Sequence, residues 1–132
     1  YESMIQYVFD EKVWVPAVGQ GSIGIEAHSS LDPSIRAQIT SKLNDANTAT
    51  EVIAERAFLE KFEGGCSIPV FAHATSDLNG IILRGGIISL DGKQKILKER
   101  SSDEPIDLGR GLALEVLEEG GQKILKEIKK QI

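Results

Sequence analysis

Three apolar-rich runs in the second half of the chain are separated by glycine turns. They are Pro69 to Ser76, Ile81 to Leu90 and Lys93 to Ser101. Asn79-Gly80 and Asp91-Gly92 lie between them, and both dipeptides suit type I′ hairpin turns. The pattern predicts an antiparallel three-stranded meander. Its third strand carries Lys95, Lys98, Glu99 and Arg100, as an edge or one-sided strand does. Upstream, residues 32–44 read as a helix with Asp32 as cap and Pro33 at the first helical position. Ile35, Ile39 and Leu43 give it a narrow apolar face. A second helix is predicted from about Thr48 to Glu63, capped by Asn47 or Thr48, with Glu51 placed as in a capping box. Ile53, Ala54, Ala57, Phe58 and Phe62 form its broad apolar face, and Gly64-Gly65 supplies the stop. Two helices close the chain. Leu108, Leu112 and Val116 share one face of the first, Gly120-Gly121 breaks it, and the last is expected to bury Ile124, Leu125, Ile128 and Ile132.

The first 28 residues are different. Val13 to Val18 are apolar and extended in character, Gly19-Gln20-Gly21 reads as a tight glycine passage, and Ser22 to Ile25 reads as a second extended piece. Pro16 favours an edge or a crossover over a central strand. Such a segment needs a partner sheet, and the sequence upstream offers none. The expected fold class is therefore α+β: a three-stranded antiparallel sheet with helices on one face, preceded by an extended segment.

Composition narrows the function. The chain has 132 residues, enough for one domain, with a folded surface expected near about 6,800 Å². A net charge of −5 argues against a general nucleic-acid binder. One cysteine, Cys66, leaves no internal disulfide and no multi-cysteine zinc site, and fits a reducing compartment. The apolar runs are too short to span a bilayer, and no signal peptide is visible. The chain opens at Tyr1 with apolar residues following at once, and reads as a fragment or a processed product. A cytoplasmic setting is the default, with a plastid one left open.

Cys66 is the leading candidate for chemistry. It sits in Glu63-Gly64-Gly65-Cys66-Ser67-Ile68-Pro69, between a helix end and a strand start. There a thiol can serve as a nucleophile or covalent anchor, or as a small inert residue at a tight packing point. His73, on the strand leaving this loop, is the one candidate for a thiol–imidazole pair; His28 and His73 offer too few companions for a metal. Gly19-Gln20-Gly21-x-x-Gly24 has neither the Lys-Ser/Thr ending of a Walker loop nor a following helix, so a glycine-lined crossing is the simpler reading. Glu55 and Arg56 flank the apolar face of the second helix. Arg56 can pair with Glu60 four residues on, and Glu55 can reach a partner domain or remain solvated. Lys123, Lys126, Lys129 and Lys130 read as a solvated helix face. A thiol-dependent redox or acyl-transfer enzyme and a non-catalytic interaction domain both remain compatible with these residues.

Three blocks, in order, resemble the porphobilinogen deaminase (hydroxymethylbilane synthase) family: Val15-Pro16-Ala17-Val18-Gly19-Gln20-Gly21-Ser22-Ile23-Gly24-Ile25-Glu26, Ala54-Glu55-Arg56-Ala57-Phe58-Leu59, and Glu63-Gly64-Gly65-Cys66-Ser67-Ile68-Pro69. Ala27-His28 and Val70-Phe71 depart from the usual family pattern. The resemblance implies that residues 1–28 are the end of domain 2 and the crossover strand toward domain 1, and that 29–132 are the C-terminal cofactor-attachment domain. It implies a dipyrromethane held by a thioether to Cys66, on which four porphobilinogens are joined, with Gln20 and Gly21 bordering the cofactor. It assigns Glu55 and Arg56 to interdomain contacts. The family's catalytic Asp and its substrate-binding arginines lie in domains 1 and 2, so no catalytic residue and no metal ligand is assigned here, and these residues alone are expected to be inactive. A monomeric full-length enzyme without membrane or nucleic-acid partners is implied. The exposed apolar strand makes dimerisation of the fragment plausible.

Overall fold

The computed structural model describes residues 2–63 and 67–132. Helices α1 (Pro33–Leu43) and α2 (Ala46–Glu60) come first. Strands β1 (Val70–Asp77), β2 (Gly80–Ile88) and β3 (Lys95–Ser102) follow, then helices α3 (Pro105–Val116) and α4 (Gln122–Lys129). The sheet has the order β1-β2-β3 with both pairs antiparallel. The α+β meander expected from the sequence is the observed architecture.

Alternation decides which sheet face is covered. Val70, Ala72 and Ala74 of β1, with Ile81, Leu83 and Ile87 of β2, are buried beneath α2 and α3. Phe58 of α2 and Phe62, just past its end, meet Leu108, Leu112 and Val116 of α3 in the same core, and Ile124, Leu125 and Ile128 of α4 close it. Phe58 lies flat on the central strand. A Cβ at Gly85 would come within 2.9 Å of its ring, so the missing side chain makes room for the aromatic. On β3, Lys98 pairs with Glu119 and Arg100 with Glu115, so charged residues of the edge strand meet the acidic side of the closing helices.

Several local expectations are corrected. Helix α1 keeps its Asp32 cap, with Ser34 N–H donating to Asp32 Oδ1 at 2.8 Å, but it buries no residue; Ile35 and Leu43 are exposed. The helices on the sheet are thus α2, α3 and α4, and a stripe of three apolar residues is too thin to bring α1 down. Helix α2 starts at Ala46, because Asp45 rather than Asn47 or Thr48 is the cap. Asp outranks Thr at that position. It ends at Glu60, before the glycine pair, with Glu63 at φ 47°. Ile53 and Ile132, both expected in the core, are exposed.

The hairpins are not type I′, which needs positive φ at both central residues. Leu78 and Asn79 occupy the first turn at negative φ, and Gly80 follows at φ 117°; Asp91 is likewise negative and Gly92 stands at φ 72°. Each glycine supplies the left-handed residue after the turn rather than inside it. The break at Gly120-Gly121 holds: a π-turn over Leu117–Gly121 with Gly120 at φ 115° joins α3 to α4.

Residues 2–28 contain no strand. The two extended pieces expected there are a turn around Glu11–Val13, a double turn over Val18–Gly21, and an irregular stretch from Ser22 to His28. Extended backbone becomes a strand only with a ladder partner, and the described residues offer this segment none. Tyr7 meets Phe9 edge-on and Phe9 meets Trp14 at a tilt, with centroids 5.1 and 5.0 Å apart, yet all three remain largely exposed. The accessible surface is accordingly 9453 Å², well above the compact value of about 6,800 Å². No helix among the described residues is long and apolar enough to cross a membrane.

Candidate functional site

The expected attachment residue, Cys66, lies outside the described residues, as do Gly64 and Gly65. Their flanks are described. Glu63 carries the chain out of the α2 end, its carboxylate 3.8 Å from Lys129 Nζ of α4. Ile68 and Val70 return it to the core.

Glu55 is the one charged side chain buried among the described residues, 5% exposed. It receives two backbone N–H groups: Gly19 donates to Oε2 at 2.7 Å and Ala74 donates to Oε1 at 2.8 Å. His73 Nδ1 stands 3.5 Å from the same Oε1, and Glu11 Oε2 is 3.7 Å from His73 Nε2. A buried carboxylate is tolerable only with such donors around it. Glu55 therefore joins three pieces of chain: the Val18–Gly21 double turn, α2 and β1.

The geometry follows from helix and strand periods. Glu51 and Glu55 are one turn apart on α2, about 6 Å along the axis. Successive outward-facing N–H groups on a strand edge are two residues apart, about 6.8 Å. The spacings match, so Glu51 takes the Ser76 N–H at 2.8 Å while Glu55 takes that of Ala74. Ser76 Oγ also donates to Glu51, at 2.7 Å. The two carboxylates cap the open edge of β1, which would otherwise present unpaired donors. Glu51 is thus an edge cap, not the capping-box partner of Thr48.

Gln20 and Gly21 sit on the exposed side of the double turn. Gln20 N–H donates to Ala17 O at 3.0 Å and Ser22 N–H to Gly19 O at 3.1 Å. Gly19 and Gly21 stand at φ 70° and 83°, where a side chain would be strained, and a Cβ at either would meet open space. Val18, just before the turn, packs against the core. The structure brings Gln20 and Gly21 to a turn held by Glu55. Arg56, next to Glu55, is exposed and has no ion pair among the described residues; Glu60, its expected partner, is taken by Arg110 at 3.2 Å. Arg56 borders a cavity of about 790 Å³ between residues 18–27 and the first two helices, walled by Ile23, Ile25, Leu43 and Val52. His28 is occupied locally, with Nδ1 2.7 Å from Ser30 Oγ.

A family model described as "Porphobilinogen deaminase, C-terminal domain" matches residues 49–130. The chain belongs to the porphobilinogen deaminase family. Among relatives carrying that name, the protein of Cytophaga hutchinsonii is 46% identical over 132 residues, 98% of this chain and 42% of that protein. The one from Desulfosudis oleivorans is 40% identical, covering 98% and 43%. The one from Carboxydothermus hydrogenoformans is 41% identical, covering 98% and 42%. The chain thus spans a little over two-fifths of the length of these relatives.

For this porphobilinogen deaminase C-terminal domain, the sequence had left Glu55 to reach a partner domain or stay solvated, and the resemblance had assigned it to interdomain contacts; the structure buries it between the Val18–Gly21 turn and β1. Sequence reasoning had missed the double function, since Ala74 and His73 lie far along the chain. The i,i+4 glutamates beside an apolar face were the available signal, yet the same spacing also fits a solvated helix flank.

Proposed function

We propose that this chain is the C-terminal part of a hydroxymethylbilane synthase, a transferase of tetrapyrrole (haem) biosynthesis. Cys66 is the attachment point of a dipyrromethane cofactor, Gln20 and Gly21 border it, residues 1–28 are the end of domain 2 with the crossover toward domain 1, and residues 29–132 form the attachment domain. The observation that carries the reading is family membership over residues that include the Gly-Gly-Cys run.

The donor chemistry fits the group. Cys66 is the sole thiol of the chain, and a thioether needs only that sulfur. Of the described flanks, Ile68 is buried in the core, and the exposed Glu63 carboxylate lies 3.8 Å from Lys129 Nζ. Gln20 is exposed, and a Cβ at Gly21 would meet open space. When bound, the dipyrromethane supplies the primer on which four porphobilinogens are joined with loss of ammonia. Covalent attachment makes each addition effectively intramolecular. This chain's own contribution is to hold and aim that primer. A net charge of −5 is ill suited to bind the carboxylate-rich substrate, so arginines of the remaining three-fifths of the enzyme carry that task. The 132 residues by themselves do not turn over porphobilinogen.

The test is the intact mass of the full-length protein with peptide mapping around Cys66. A mass increment of a dipyrromethane on the Cys66 peptide, absent from Cys66→Ser, is the expected result. An unmodified Cys66 in active full-length protein overturns the assignment and leaves an inert thiol in an interaction domain.

A further inference from the structure

Glu55 has more hydrogen-bond work than the edge of β1 demands. Its neighbour Glu51, half-buried, caps the same edge and makes no hydrogen bond to an upstream segment among the described residues. Glu55 uses one oxygen for the edge and turns the other to Gly19, 36 positions earlier. That bond and the packing of half-buried Val18 hold the double turn itself on the domain; the stretch before it is tied separately, by Glu11 to His73 and by Lys95 to Val13 O, and the stretch after it is exposed and irregular. Gly19 has a positive φ, so no other residue could present its N–H there without strain. We infer that Glu55 is a positioning residue, whose second carboxylate oxygen sets the place of the Gln20-Gly21 turn relative to the C-terminal domain. What that turn faces rests on the function proposed above; the positioning does not.

An amide in place of the carboxylate separates the two tasks. In Glu55→Gln, one end of the side chain becomes a donor and can satisfy only one of the two N–H groups. Ala74 is 1% exposed, and its N–H has no water to fall back on. Gly19 is half-buried and can turn to solvent. The remaining oxygen therefore goes to Ala74, and Gly19 is released, because an unpaired buried donor is the more costly of the two.

Amide hydrogen exchange, read residue by residue on the 132-residue chain, tests this. Glu55→Gln is expected to speed exchange at Gly19 by about tenfold or more, with Ala74 and the core amides of Leu83 and Ile87 unchanged. Glu51→Gln, which disturbs the same strand edge, is expected to leave Gly19 as it was. Unchanged exchange at Gly19 in Glu55→Gln overturns the inference. So does faster exchange at Gly19 accompanied by Leu83 and Ile87, since that reports general loosening. The readout involves no cofactor, so a failed dipyrromethane assignment and a failed positioning role give different results.

Discussion

Two glycines on α3, one turn-fraction apart, should respond in opposite directions to the same change. Gly109 faces α2 at the helix crossing. A Cβ built there would lie 2.3 Å from Ala54 O, 2.7 Å from Phe58 N and 2.8 Å from Ala57 Cβ. These are mostly backbone atoms of a packed helix, so α2 must retreat by about an ångström to regain normal contact, lifting Phe58 off Gly85. Overpacking of this kind costs about 2–3 kcal/mol, against about 1 kcal/mol gained from replacing glycine in a helix. Gly109→Ala should lose about 1–2 kcal/mol. Gly111 faces the Arg100 guanidinium, with the nearest atoms at 3.2 Å. That is the far end of a flexible side chain, which can move aside, so Gly111→Ala should gain about 0.5–1 kcal/mol from propensity alone. Urea unfolding followed by circular dichroism measures both, with the slope checked for constancy. If the two variants shift together, or Gly109→Ala is as stable as the parent, the close α2–α3 crossing is wrong.

Phe58→Ala removes a fully buried ring from the centre of the core and should cost about 3–5 kcal/mol in the same assay; less than about 1 kcal/mol would contradict its place against β2. The Asp32 carboxyl is held below its usual value of 3.8 by the Ser34 hydroxyl and by the Ser34 and Ile35 N–H groups. A lowered folded value means that the capping contribution is complete above the ordinary carboxylate range and is lost as pH falls through the lowered one. Exchange of the α1 amides followed on acidification should show fraying in the parent, and the Asp32→Asn variant should show no such pH step at α1.

Legibility in the sequence followed the range of the interactions concerned. The meander and α2, α3 and α4 could be read because strand alternation, helical stripes and glycine breaks are local signals, and the Asp32 cap of α1 acts within two residues. The tight turn at Gly19–Gly21 was legible from its own glycines, while Cys66 lies outside the described residues. The boundaries near Asp45 and Glu60 were misjudged by a few residues, since several capping residues compete within one short stretch. The turn types were misread because Asn-Gly can place glycine within the turn or just after it, and the strand register chooses.

The chain by itself determined that a three-stranded sheet forms, which residues of α2 and α3 are apolar enough to cover it, and that residues 2–28 carry apolar side chains without a local use for them. Only the tertiary structure decided that α1 stays off the core and that the extended pieces find no ladder. It alone placed Glu55 between Gly19 and Ala74, contacts separated by 36 and 19 positions. Periodicity records which face a residue occupies. It holds no record of what a distant segment will bring to that face, and a buried carboxylate is stabilised by those distant donors alone.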